Sequence, residues 1–422
     1  MKMITAVRGF KDILADESGA WRRIEAESRE LFAAFGFEEI RIPLLEKTEL
    51  FRRGIGESTD IVEKEMYTFL DRNDEHLTLR PEATASIIRA YLEHNLHAVD
   101  PITKLFTMGP MFRRERPQKG RLRQFHQIDV EVLGIDDPRM DAELLFMLNH
   151  LFIRLGIDDL RLHINSLGCP QCRPRFREAI LSFLEHKEAG LCDDCRRRLK
   201  KNPLRVFDCK VAACQAIVAD GPELLNFICD ACGDHFETLK QYLSILSISF
   251  EINRKMVRGL DYYTKTTFEI TAPAAGAQNA VVGGGRYDGL VKELGGPDIP
   301  GIGFAIGCER LIASIPRKDE ASDTGRLQLF VAAIGREAEL FAYTLVNRLR
   351  VSGIPAEMDF TGKGLKGQMK RADKLKSHYV LIIGEREISE KKAALRNMQT
   401  GAQTILDIEN LETSVLNAMK QR

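Results

Sequence analysis

The sequence predicts an α+β domain interrupted by a small cysteine-rich helical module and followed by a separate α/β domain. Three observations lead there. Strand-like alternation recurs around turn signals, most clearly in LFTMGPMFRRERPQKGRLRQFHQIDVEVLG (105–134). Eight of the nine cysteines fall between positions 169 and 232, where helical signals dominate. Beyond a polar linker, PRKDEASDTG (316–325), strands and helices alternate: LQLFVAAI, helix 337–350, PAEMDF, helix 365–377, YVLIIG. That alternation predicts a mainly parallel sheet. The expected bounds are 1–165 with 249–318 for the large domain, 166–248 for the module and 326–422 for the last domain.

Lysine plus arginine and aspartate plus glutamate both number 61, so nucleic acid would have to be met by local basic patches rather than by a global field. No apolar run reaches the roughly 18 residues of a membrane span, and MKMITAVRGFKDIL lacks the apolar core of a secretory signal. A cytoplasmic protein without membrane partners is expected. In such a chain the cysteines point to metal or free thiols rather than to a disulfide framework.

In chain order, residues 17–36 read as a helix, with Trp21, Ile24, Leu31, Phe32 and Phe35 at helical spacing and Gly36 as the stop. FEEIRIPLLEKTELF (37–51) passes from strand to helix through Pro43. MYTFLDRNDEHLTL predicts a hairpin turning at Asn73-Asp74. Arg80-Pro81-Glu82-Ala83-Thr84 follows at a strand-to-helix junction, where Glu82 and Thr84 suit a first helical turn as well as a ligand site.

The stretch 105–134 reads as two strands around a basic arm. Between Arg113 and Arg123 stand six positive residues against one acid, Glu115, and Pro117 and Gly120 break any helix. A solvated loop is one reading. Arg113 at the base of the arm, beside Gln127, Asp129 and Glu131 on the returning strand, suits a zwitterion next to a phosphate.

DAELLFMLNHLFIRLGI (141–157) is an amphipathic helix and LRLHINSLG (160–168) a short strand. After the module, RGLDYY (258–263) precedes a strand with Phe268 and Ile270, and NAVVGGGRYDGL (279–290) runs a strand into three glycines. GIGFAIGCERLIASI (301–315) reads as strand, turn and helix, with Arg310 in the first turns. Its Gly301-x-Gly303 is too weak for a dinucleotide fingerprint, and the absence of GxxxxGK[ST] excludes a Walker loop. Lys363, Lys366, Lys370, Arg371, Lys374 and Lys376 surround the second helix of the last domain, as a solvated face or as phosphate contacts.

The module's cysteines are spaced as Cys169-x2-Cys172, Cys192-x2-Cys195, Cys209-x4-Cys214 and Cys229-x2-Cys232, while Cys308 stands apart as a small buried residue. Thiolates two residues apart can share one tetrahedral zinc ion. Four pairs suffice for two structural zinc sites, or for one with spare thiols. Spacing does not say which pairs join, and free or redox-active thiols are the other readings.

Together these pieces resemble the class II aminoacyl-tRNA synthetases and, more closely, the bacterial histidyl-tRNA synthetase family, over nearly the whole chain. Ile40–Phe51 with Pro43 resembles motif 1, GPMFRRERPQKGRLRQFHQ motif 2 and GIGFAIGCERL motif 3. LRPEAT and RGLDYYTKTTFE are the specific stretches, the second resembling the signature of the histidine enzyme. The resemblance implies an antiparallel six-stranded sheet, a helical insertion, a C-terminal anticodon-binding domain and a homodimer. It implies a ligase that joins L-histidine to histidine tRNA, with ATP as substrate and Mg²⁺ on its β- and γ-phosphates. Arg113 and Arg258 match the residues at the reacting phosphate, and Arg310 matches the clamp on ATP. Glu82, Ala83, Thr84 and Gln127 match the surroundings of the histidine α-amino group. Glu131 and Tyr263 match the partners of the two imidazole nitrogens, with Tyr262 beside them. Arg116 and Gln118 are the candidates for reading the tRNA acceptor end. The familiar members have no such cysteines in the insertion. An alternative is a silent paralogue serving as the regulatory subunit of ATP phosphoribosyltransferase. Such paralogues usually lack the last domain and carry a degraded signature, and this chain keeps both.

Overall fold

The structure, a computed structural model, describes residues 3–57, 59–118, 120–257, 259–272, 280–316 and 327–420. The chain divides into two compact units, Met1–Pro316 and Arg317–Arg422. The first unit carries β1 (Glu38–Glu39), β2 (Leu45–Lys47), β3 (Tyr67–Leu70), β4 (His76–Leu79), β5 (Thr103–Phe112) and β6 (Gln124–Leu133). Further along follow β7 (Arg161–Ser166), β8 (Glu251–Ile252), β9 (Thr264–Thr271), β10 (Ala280–Arg286) and β11 (Gly301–Gly307). The large sheet runs β1-β5-β6-β11-β10-β9-β7-β8. Its six central strands are antiparallel, as expected. The short strands β1 and β8 extend it at either edge by parallel pairing. The predicted hairpin forms β3 and β4 in a second small sheet with β2. Asp74 takes φ 59° at its turn, and Asp71 Oδ1 accepts the N–H groups of Asn73 and Glu75, an Asx turn.

Alternation on β6 decides which face of the sheet does what. Ile128, Val130 and Val132 are fully buried on one face, and Gln127, Asp129 and Glu131 occupy the other. The apolar face is covered by the helices Ala15–Ala34 and Pro138–Leu155. The first ends as predicted: Gly36 at φ 80° donates to Ala33 O and Phe37 N–H donates to Phe32 O, both at 3.0 Å, a Schellman stop. The second starts on Asp137, whose carboxylate accepts Arg139 N–H at 2.8 Å, with Pro138 in the first turn. It buries Leu144, Met147, Leu148 and Leu151, each contributing about 1.5–3 kcal/mol of transfer free energy.

The insertion between β7 and β8 carries the helices Arg173–Leu184, Asp193–Lys201, Ala212–Val218 and Asp230–Ile245. Its last helix sends Phe236, Leu239 and Leu243 into the main core, so this end is anchored on the catalytic unit. Phe176, Ile180, Leu184 and Val206 pack in a second cluster continuous with Tyr262, Tyr263 and Tyr287.

The second unit has β12 (Leu329–Ile334), β13 (Ala356–Met358), β14 (Tyr379–Gly384), β15 (Lys392–Asn397) and β16 (Gln403–Asp407), ordered β13-β12-β14-β15-β16. Only β13, β12 and β14 are mutually parallel; β15 and β16 are antiparallel, so the sheet is mixed rather than mainly parallel. The turn between β15 and β16 is too short for the crossover that a parallel pair requires. The helix Leu365–Lys374 buries Gln368 and Ala372 and leaves Lys363, Lys366, Lys370 and Lys374 exposed along and before it.

Candidate active site and cysteine centres

The polar face of β6 is the floor of the site. Asp129 and Glu131 are buried there, and Glu82 reaches the same region from the junction ahead of the helix Thr84–Glu93. Glu82 accepts Thr84 N–H at 2.8 Å and Ala85 N–H at 3.0 Å, so its carboxylate caps the helix while lining the site. The first-turn reading of Glu82 holds. Ala83 is buried at the helix N-cap position.

Thr84 Oγ1 donates to Glu131 Oε1 at 2.6 Å, and the Tyr287 hydroxyl donates to Glu131 Oε2. The carboxylate is thereby fixed in orientation, with a lone pair left on each oxygen. Burial pushes Glu131 up to about 8, against the lowering effect of the two hydroxyls. Burial likewise raises Asp129, assisted by Glu131 and Glu82, and raises Glu82 against its backbone donors. The three acids thus sit in a desolvated cluster, and burial shifts each of them toward its neutral form.

Gly301 and Gly303 acquire a reason here. Gly303 lies opposite Glu131 in the β6–β11 register, and a Cβ on it would overlap the Glu131 carboxylate. A Cβ on Gly301 would overlap the Tyr287 ring. The two glycines make room for the Glu131–Tyr287 pair, not for a dinucleotide.

Arg113 stands where β5 enters the arm. Its Nε donates to Pro81 O at 2.9 Å, and its guanidinium stacks over Phe125 with 5.2 Å to the ring centroid. Arg310, in the helix Cys308–Ser314, donates from Nε to Gly120 O at 3.1 Å and from Nη1 to Ala280 O at 2.8 Å. Its pKa is lowered by burial and then by Arg121 and Arg113, so three guanidinium groups crowd one locality. Such crowding suits a polyanion. Gln127 Oε1 and Asp129 Oδ2 are buried without a hydrogen-bond partner among the described residues. Tyr262 and Tyr263 close another wall, their rings 4.8 Å apart, and Tyr262 meets Tyr287 edge-on at 5.7 Å.

The arm is a narrow loop pinned at its tip, where Gln118 and Arg121 exchange backbone hydrogen bonds at 3.0 and 2.9 Å. Glu115, its single acid, is buried against Arg121. Arg116 and Gln118 remain exposed. Arg258 lies outside the described residues. Two further residues matter that the motifs did not single out. Tyr287 was visible only as the end of VVGGGRY, and its role needs Glu131 from a distant strand. Arg80 is buried and donates to Ile42 O at 2.9 Å and Pro110 O at 3.0 Å, tying the junction to the hairpin.

The eight module cysteines converge on two places: Cys169, Cys172, Cys229 and Cys232 in one, and Cys192, Cys195, Cys209 and Cys214 in the other. All ligand atoms in each group lie within 4.8 Å of one another. Sulfur separations are 3.5 Å for Cys169–Cys172, 3.9 Å for Cys169–Cys229 and Cys172–Cys232, and 3.8 Å for Cys192–Cys209. A tetrahedron with Zn–S bonds of ~2.3 Å has edges of ~3.8 Å. Disulfide bonding needs ~2.05 Å. Backbone N–H groups of Cys229 and Cys192 point at Cys172 Sγ and Cys214 Sγ, both at 3.2 Å, as around bound thiolates. Cys308 is buried far along the chain in the main core, as expected.

The floor is antiparallel, and the groups awaiting an anion are arginines on a hairpin and on the helix after β11, which is the plan of a class II aminoacyl-tRNA synthetase. The family model "Histidyl-tRNA synthetase" matches residues 9–311, and "Anticodon binding domain" matches 328–418. A histidine–tRNA ligase of Syntrophotalea carbinolica is 53% identical over 98% of both chains. One of Desulfosudis oleivorans is 52% identical over 100% of this chain and 99% of its own. The structure of apo Staphylococcus aureus histidyl-tRNA synthetase superposes with TM-score 0.82 at 36% identity, covering 98% of this chain and 100% of that one. The chain belongs to the histidyl-tRNA synthetase family. A Bacillus halodurans protein described as an ATP phosphoribosyltransferase regulatory subunit/histidyl-tRNA synthetase is 19% identical with TM-score 0.66, a likeness of fold alone.

Proposed function

We propose that the chain activates L-histidine with ATP and transfers the histidyl group to the 3′ end of histidine tRNA. The observation that carries this is the oriented Glu131 carboxylate, held by Thr84 and Tyr287 on a floor flanked by Arg113 and Arg310. The full-length kinship to histidine–tRNA ligases supports it, and does not support a silent regulatory subunit.

In activation a histidine carboxylate oxygen attacks the α-phosphorus, the bond to the β-phosphate breaks, and pyrophosphate leaves. Two anions must meet, so Arg113 and Arg258 offset their repulsion and the charge that develops on phosphorus. Arg310 holds the ATP phosphates. Mg²⁺ would supply charge neutralisation on the β- and γ-phosphates. Glu82 and Gln127, with the Ala83–Thr84 turn, hold the α-amino group. Glu131 takes one imidazole nitrogen and Tyr263 the other, beside Tyr262. An amino acid that leaves both unpaired is rejected by ~10⁴ without editing. In transfer the 3′-hydroxyl of tRNA attacks the adenylate carbonyl and AMP leaves, with Arg116 and Gln118 gripping the acceptor end.

The second unit reads the anticodon. The chain works as a cytoplasmic homodimer, joined around the motif 1 stretch. Each cysteine group holds one structural zinc ion, whose ligand positions are all filled by protein and which takes no part in catalysis. The decisive test is ATP–pyrophosphate exchange with each of the twenty amino acids. Exchange with histidine alone is expected; exchange with another amino acid, or with none, overturns the reading.

A further inference from the structure

Segments next to each of the two cysteine groups donate to the loop 259–263, which carries Tyr262 and Tyr263, in each case through a guanidinium. Arg173 follows Cys172 directly. Its Nη1 donates to Asp261 O at 3.3 Å and its Nη2 to Tyr263 O. Arg205, four positions before Cys209, donates to Gly259 O at 2.7 Å, and Asn202 donates to Asp261 Oδ1 at 3.0 Å. The loop's own backbone bond to the catalytic core, Asp261 N–H to Ile55 O, is longer at 3.4 Å.

A cavity of about 590 Å³ lies between insertion and loop, walled by Arg173, Arg205, Leu260 and Tyr263 among others. The loop is thus held by polar donors from the insertion as well as by the apolar packing of Leu260, Tyr262 and Tyr263. Those donors are only as fixed as the segments that bear them. The Cys169–Cys172 turn rests on Gly168, at φ 60°, where a Cβ would press on Cys172 at 2.7 Å. Gly168 O in turn accepts Lys265 N–H at 2.8 Å, at the start of β9 and just beyond Tyr263. The first group also joins residues 60 positions apart, a long closure for a segment of short helices.

Resting on the zinc reading above, we propose that the two tetrathiolate centres are the frame of the histidine pocket. Metal in them fixes Arg173 and Arg205, these positioning residues fix the loop 259–263, and histidine affinity follows metal occupancy while ATP affinity does not. The first centre is the more easily emptied, since Cys229 is exposed and Cys169 half-buried, whereas three of the four cysteines in the second are buried.

The test uses the full chain purified without chelator, then treated with a thiol-compatible chelator, with zinc counted by mass spectrometry and histidine and ATP binding measured by calorimetry. Close to two zinc ions per chain are expected, about one in Cys169→Ser/Cys229→Ser, and none after exhaustive chelation. Histidine Kd should rise about 10-fold or more as zinc is lost, with ATP Kd within about 2-fold, and both recover on adding zinc back. Arg173→Met, which keeps every cysteine, should retain full zinc yet weaken histidine about 10-fold, and Arg173→Lys should restore part of that. Full zinc with unchanged histidine Kd in both Arg173→Met and Arg205→Met overturns the coupling and leaves the zinc reading standing. Less than roughly 0.3 zinc per chain in freshly purified protein overturns the zinc reading itself, and the coupling with it.

Discussion

Thr84 Oγ1 and Glu131 Oε1 meet at 2.6 Å, joining the first turn of a helix to β6 of the antiparallel floor. The contact fixes Glu131 from one side as Tyr287 fixes it from the other. The orientation of the Glu131 carboxylate is thus a property of three segments brought together, not of one motif.

Substituting the acid should expose this directly. Glu131→Gln keeps the shape but removes the charge, and Tyr263→Phe removes a hydroxyl from the opposite side. Each should lower histidine-dependent exchange, as kcat/KM, by at least about 10-fold with ATP binding largely intact. Wild-type kcat/KM for histidine in both variants would sink the assignment.

Histidine binding should release protons near neutral pH. Burial holds Glu131 up to about 8, so this carboxyl is largely protonated at pH 7 in the ligand-free site, and burial also raises Asp129 and Glu82. The incoming ammonium favours the ionised acids and displaces their protons. A raised acid pKa stabilises the fold most below its unfolded value and is lost as pH rises through about 8. Ligand-free protein should therefore lose stability over that window, and histidine should restore more of it at pH 8.5 than at pH 6.5. Calorimetry in buffers of different ionisation enthalpy reads the proton count; zero release at pH 7 would contradict the protonated cluster.

Arg286 and Asp141 form the most buried ion pair of the first unit, both fully inaccessible and 2.6 Å apart. Arg286 also donates to the carbonyls of Ile135 and Asp137. Arg286→Met leaves a buried carboxylate uncompensated and should cost about 3–5 kcal/mol in urea unfolding of that unit. The double variant with Asp141→Leu should recover much of the loss. A single-variant cost below about 1 kcal/mol would mean that water reaches the pair.

On the proposed roles, the arm should separate the two half-reactions. Arg116 is exposed at its tip while Arg113 faces the floor. Arg116→Ala should leave exchange near normal and slow only transfer to tRNA. Abolished exchange in that variant would place the tip in the ATP site.

The reach of the sequence varied with the kind of contact involved. Period-2 alternation on β6 and the glycine stop after the first helix are local signals, and both are visible in the chain. The polar face of β6, with Gln127, Asp129 and Glu131, followed from the same alternation. Tyr287 was not legible as a partner of Glu131, because the pairing passes through β11 and two glycine clearances. The grouping of cysteines was legible as pairs but not as quartets, since joining Cys169 to Cys229 depends on how the intervening helices fold back. The antiparallel end of the second sheet escaped because the alternation of strands and helices that signals parallel pairing stops at YVLIIG, and β15 and β16 lie beyond it.

The order of strands in the large sheet bears on how the chain matures during synthesis. β6 leaves the ribosome with one edge paired to β5 and the other bare, because its second neighbour, β11, places Gly301 opposite Leu133. Roughly 170 residues, including the whole cysteine-bearing segment, must be made before that edge is covered. An open apolar strand for so long invites wrong pairing between nascent chains. The helix Pro138–Leu155 is made immediately after β6 and already shields its apolar face. The segment from 169 to 232 is made meanwhile, so the β6–β11 pairing that completes the floor of the site forms only after it.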